Sequence, residues 1–178
     1  PDWRELPDLE FYPIPSFNVP MGTMIPKEVD DLIVAEKSIS VSNLMNGATR
    51  LQPVVMQLGQ AAGALAALAC IEDKGVKEIG VRQVQEKLLE AGCYIMPYLD
   101  LPKSDPHFKA LQRIGATGVL RGEGRNVGWS NETWFRADEP LRGEEIYASE
   151  LYGAITVEPG EMSVGRMLEL VRSYGGRV

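Results

Sequence analysis

From residue 51 to residue 71 the chain carries no charged side chain, and Pro53 stands near the start of that run. No other stretch restricts the fold as strongly. Proline suits the first turn of a helix, where its missing N–H leaves no bond unmade. Beyond it, Val54, Leu58, Ala61, Leu65 and Leu68 recur at helical spacing and give one apolar face. Gly59, Gly63 and Ala67 lie four apart on another face, where a neighbouring backbone could come close. Glycine inside a helix costs roughly 1 kcal/mol against alanine, so two of them imply a compensating packing role.

Several readings of this helix stay open. It is long enough to tempt assignment as a membrane span. However, Gln52, Gln57 and Gln60 interrupt it, and alanine and glycine supply little hydrophobic drive, so no span is expected. A plain core helix, a helix lining a ligand site, and a helix pairing with another through its small residues all fit the pattern.

The residues just upstream favour the ligand-site reading. Leu32-Ile33-Val34-Ala35 is a short apolar run after Asp30-Asp31, and its length fits a strand buried on both faces. Residues 46–52 then read as an ordered polar loop into the helix. A helix N-terminus offers free N–H groups and a partial positive charge to an anion or a polar ring.

From Tyr12 to about Tyr94 the sequence resembles the C-terminal part of the FAD-dependent oxidoreductases of the glutathione-reductase-like superfamily. The resemblance rests on Ile14-Pro15, on Ile25-Pro26-Lys27-Glu28-Val29-Asp30-Asp31-Leu32-Ile33-Val34-Ala35, and on Asn46-Gly47-Ala48-Thr49-Arg50-Leu51-Gln52-Pro53. It continues through Leu58-Gly59-Gln60-Ala61-Ala62-Gly63. In that family the loop and helix N-terminus lie against the flavin end of FAD. The resemblance therefore implies FAD as cofactor, with Asn46, Gly47, Arg50 and Gln52 near it. One position departs: Glu36 stands where many family members have glycine after the strand's alanine. A carboxylate there adds bulk and negative charge where the family backbone approaches its cofactor; a solvated or lysine-paired Glu36 is the alternative reading.

Dinucleotide binding in such proteins needs a βαβ unit with G-x-G-x-x-G. Gly122-Glu123-Gly124 is followed by Arg125-Asn126-Val127, so the third glycine is missing. The expectation is a C-terminal fragment of a larger flavoprotein, inactive and a weak FAD binder alone, whose N-terminal half is the missing partner. Apolar surface left open toward that half would also permit self-association.

The formal charge is −7, from 18 basic and 25 acidic residues, with no Lys/Arg cluster, which argues against nucleic acid as a partner. Cys70 and Cys93 have no metal or disulfide spacing, so the redox compartment stays open, an exported or periplasmic site included.

A second helix is predicted over residues 81–92, with Val81, Val84 and Leu88 as its stripe, residues 86–90 as its wet face and Gly92 as a left-handed cap. Pro97, Pro102 and Pro106 then mark a semi-rigid boundary, dividing residues 1–96 from residues 97–178. Past it, Asp105-Pro106 starts a helix with Phe108, Leu111 and Ile114 inward and Gly118 at its end. A Gly/Asn-rich turn over residues 122–128 and a Trp-containing stretch follow. Residues 139–145 open another helix, and a last one from Ser163 buries Met167, Leu168, Val171 and Tyr174. The fold class expected is α+β, mainly helical: a short buried sheet with a long Ala/Gly-rich helix, then a small helical module.

That module resembles a single degenerate S-layer-homology unit, on Asp105, His107, Phe108, Ala110, Leu111, Ile114, Gly118, Val119, Leu120 and Gly122, then Phe135 and Pro140-Leu141-Arg142-Gly143-Glu144. Leu-Arg-Gly-Glu replaces the usual Ile-Thr-Arg-Ala-Glu. The resemblance implies a bacterial structural appendage or a carbohydrate module, with Trp129 and Trp134 as a glycan platform or as loop-pinning core. Some bacterial flavoprotein relatives carry xanthan-lyase-type names, which would make this part of a polysaccharide lyase; Tyr147, Tyr152, Arg142 and Asn131 are suitable residue types without a marking pattern. His107, the only histidine, reads as a capping or packing residue. Asp138 and Glu139 are adjacent in a turn and cannot flank a substrate bond.

Overall fold

A computed structural model describes residues 16–128, 130–143, 146 and 160–162. The fold is α+β and mainly helical. Among the described residues the helices are α1 (Asn43–Thr49), α2 (Gln52–Glu72), α3 (Val81–Glu90) and α4 (Phe108–Thr117), followed by the strands β1 (Glu123–Val127) and β2 (Ser130–Trp134).

α2 organises the N-terminal half. Pro53 lies in its first turn, and it ends where Asp73 adopts a left-handed conformation (φ 51°, ψ 51°) that lets Lys74 N–H reach the Ala69 carbonyl at 3.0 Å. Its buried residues are Val55, Leu58, Ala62, Leu65, Leu68 and Ala69. The predicted face is thus rotated slightly: Val54 and Ala61 are half-buried, while Val55 and Ala62 point inward. Leu65, Leu68 and Ala69 pack with Val76, Ile79 and Val84, whereas Leu58 and Ala62 pack with Met24 and Ile39. By length and composition α2 could also cross a membrane. Here Leu65, with no exposed surface, is part of a protein core.

Residues 32–35 do not form the expected strand. Ala35 is extended, but a strand needs a neighbour to exchange backbone bonds with, and among the described residues this run has one, Val34 N–H to the Met24 carbonyl at 2.8 Å. Ile33 and Ala35 alternate onto the α2 core while Leu32 is exposed, so one face is covered rather than two. The neighbouring loop is held by Lys77, whose ammonium binds Asp30 Oδ1 at 2.7 Å and the Lys27 carbonyl at 3.0 Å. That hydrogen bond and the lysine's charge hold the Asp30 carboxyl below its ordinary pKa.

α3 is amphipathic as expected, and Gly92 follows it at φ 76°. The stripe differs in one turn. Val81 is exposed, and Leu89, placed on the wet face by sequence, is almost fully buried. Leu89 joins Met96, Tyr98, Leu101 and Phe108 in a core with Ile95, Leu111, Ala116 and Phe135 at its margin. The Arg113 guanidinium of α4 also pairs with the Glu86 carboxylate of α3, its Nε lying 2.7 Å from Oε2. The proline-rich stretch is therefore packed on both neighbours, with Met96, Tyr98 and Leu101 buried.

α4 ends at Gly118 (φ 78°) as the sequence indicates. Its start is less direct: Asp105 Oδ1 accepts the His107 N–H at 2.7 Å, and the helix begins after that turn. Beside Phe108, its inward residues are Gln112 and Gly115; Leu111 and Ile114 are half-buried.

The stretch read as a Gly/Asn-rich turn is a hairpin. β1 and β2 pair antiparallel from Glu123–Trp134 to Val127–Ser130, leaving two residues in the turn, of which Gly128 has φ 60°. Type I′ turns want positive φ there, so the glycine belongs to a hairpin tip rather than to a long loop. The short sheet thus lies after α4, and its β1 strand is largely exposed. Tyr98 extends it through a parallel bridge to Thr133, with Leu99 N–H on the Thr133 carbonyl at 2.9 Å. Asp100 accepts the Phe135 and Arg136 N–H groups at 2.8 and 2.6 Å. Arg142 and Glu161 form an antiparallel bridge, and Gly143 begins a 3-10 turn in which the Ile146 N–H reaches its carbonyl at 3.1 Å. The predicted helix from Ser163, with Met167, Leu168, Val171 and Tyr174, lies outside the described residues, as do Glu144 and Glu145.

Candidate functional site

The site residues meet where α1 runs into α2. The segment expected to be a polar loop is largely helical: Ser42 caps α1, its Oγ accepting the Met45 N–H at 3.3 Å. Serine is a strong N-cap, and Ser42 was the signal for this helix that the loop reading passed over. Asn46 and Gly47 lie on α1, and Arg50 ends it, its N–H bonding the Asn46 carbonyl at 3.2 Å. Leu51 is extended (φ −69°, ψ 141°), and Gln52 begins α2. All four predicted residues therefore fall within one helix-to-helix corner.

The corner has a definite chemistry. No side chain caps α2, and no acidic residue occupies its first turn. Val55 N–H returns to the Leu51 carbonyl at 2.9 Å, whereas Gln52 and Val54 present N–H groups without an intrahelical acceptor. Among the described residues, the side chains of Asn46, Arg50 and Gln52 make no hydrogen bond or ion pair. Asn46 is half-buried; Gly47, Arg50 and Gln52 are exposed. A Cβ added at Gly47 would meet nothing within 4 Å, so its surroundings are open. Leu44 and Leu51 add exposed apolar surface (68% and 56%) that the sequence reading did not assign to the site. An uncapped helix dipole, a guanidinium and two amides together suit a planar ligand whose edge carries carbonyl oxygens or negative charge.

Glu36 lies at the other end of this half. Its φ is 61°, and it opens a short 3-10 turn, Glu36–Ser38. Glycine adopts that conformation without steric cost, whereas other residues are strained there. The departure seen in the sequence is thus a side chain placed on a glycine-type backbone. Glu36→Gly is expected to raise stability by about 0.5 kcal/mol, the relief of left-handed strain being partly offset by greater freedom of the unfolded chain. Urea denaturation would register this as a higher midpoint. A lower midpoint would mean that the exposed carboxylate makes a contact worth more than the strain.

Among the described residues, the remaining candidates do not assemble into a second site. His107 is exposed, its Nδ1 3.5 Å from Asp105 Oδ1, within the turn that precedes α4. Trp134 is half-buried and donates from Nε1 to Glu132 Oε2 at 3.3 Å. Trp129, Tyr147 and Tyr152 lie outside the described residues. Asn131 sits on β2, and Arg142 bridges to Glu161. Glu139 pairs with Arg136 at 3.2 Å. The two thiols are free, Cys70 exposed and Cys93 half-buried. Among the described residues no group of three or more His, Cys, Asp or Glu side chains is placed to hold a metal ion.

No curated protein and no solved structure matches the chain. Residues 4–88, which include the α1–α2 corner, are similar to the family model described as FAD dependent oxidoreductase.

Proposed function

We propose that the α1–α2 corner forms the flavin-side wall of an FAD-dependent oxidoreductase, with Asn46, Gly47, Arg50 and Gln52 beside the cofactor. The observation that carries this reading is the uncapped N-terminus of α2 next to an unpartnered Arg50, inside the stretch matched to that family. The donor set fits the group. When bound, FAD supplies the redox chemistry through its isoalloxazine ring, whose carbonyl-bearing edge gains negative charge on reduction. The N–H groups of Gln52 and Val54 face such an edge as fixed donors, and the helix dipole favours the added charge. Arg50 contributes a full positive charge, and the carboxamides of Asn46 and Gln52 can orient the ring. Gly47 keeps the backbone clear of a side chain where the ring would approach.

In this reading the pyrophosphate of FAD is held by a separate dinucleotide-binding segment, and the corner alone binds flavin weakly. Residues 97–178 act as a structural appendage, fastened to α3 through Leu89 and the Glu86–Arg113 pair.

The test uses the protein together with that segment. The purified assembly should be yellow and retain flavin through gel filtration. Arg50→Ala should weaken flavin binding roughly tenfold to a hundredfold, the range expected for a lost charge-assisted hydrogen bond. Colourless protein, or an Arg50→Ala variant with unchanged affinity, would overturn the assignment.

A further inference from the structure

We draw no further inference here: the strongest candidate, the uncharged outer face of α2 that carries Met56, Gly59, Gly63, Ala67 and Ile71, is an unpartnered apolar helix face, and nothing in the structure shows what covers it.

Discussion

Gln112→Leu is expected to lower the unfolding free energy by about 3–5 kcal/mol. Gln112 has no exposed surface, and its carboxamide replaces a stretch of missing secondary structure. Its Oε1 accepts the Ile95 and Met96 N–H groups at 2.9 and 2.7 Å, and its Nε2 donates to the Met96 carbonyl at 3.1 Å. Leucine fills similar space but leaves those three backbone groups without partners, each at about 1–3 kcal/mol when buried. Ile95 is only partly buried, so water recovers some of its bond. That is why the expected total lies below the sum of the maxima. Chemical denaturation measures the loss, and hydrogen exchange locates it: the Ile95 and Met96 amides should lose protection ahead of α2. A Gln112→Leu protein as stable as the parent would mean that the carboxamide network is not what fixes residues 95–96.

The second large effect is expected at Gly115, also on the inner face of α4. Alanine is normally the better helix former, by about 1 kcal/mol. Here a Cβ would lie 2.8 Å from both Cε2 and Cζ of Tyr98 and closer still to its hydroxyl. Tyr98 has little room to withdraw. It is 4% exposed, its ring packs edge-on against Phe135 at 5.1 Å, and its backbone is bridged to Thr133. Burial pushes the phenol above its ordinary pKa, as befits a hydroxyl enclosed in the core. Gly115→Ala should therefore cost about 2–4 kcal/mol net, in the upper range of overpacking in a close-packed core. Adding Tyr98→Leu should recover part of that loss, because the two sites share one contact. Strictly additive losses in the double variant would contradict the proposed clash.

These two residues also mark what the sequence hides. The long helix, its proline start, the Gly92 and Gly118 stops and the order of α2, α3 and α4 are legible, because periodicity and capping are local properties. Gln112 was not: a polar residue in a helical pattern reads as solvent-facing, and only the tertiary path of residues 95–96 turns it inward. The same holds for Leu89, which lies on the wet side of α3 until the α4 core covers it. Residues 32–35 failed for a different reason. An apolar run states that burial is needed, yet a strand also requires a partner backbone at the right distance, and the sequence says nothing of that. The hairpin is hard to read because residues 123–134 carry few apolar residues to alternate, so nothing in the pattern marks Gly128 as part of a two-residue tip.

The candidate site was legible in composition but not in conformation. Asn46, Gly47, Arg50 and Gln52 do share one corner, although α1 replaces the expected loop. Glu36 was recognised as occupying a glycine position, and its positive φ gives that departure a structural meaning. The apolar flank of Leu44 and Leu51 became visible only once both helix ends were placed.

A flavin-side wall requires that the corner recognise the ring end of FAD. The most direct measurement is an amide-resolved NMR titration of this chain with FMN, and separately with ADP. Weak binding is sufficient for this purpose. FMN should shift the Gly47, Gln52 and Val54 amides in a saturable manner, ADP should leave them in place, and Arg50→Ala should abolish the FMN response without moving the core signals of Leu65 or Leu89. Shifts of equal size with ADP, or none at these amides with FMN, would contradict a flavin-side wall.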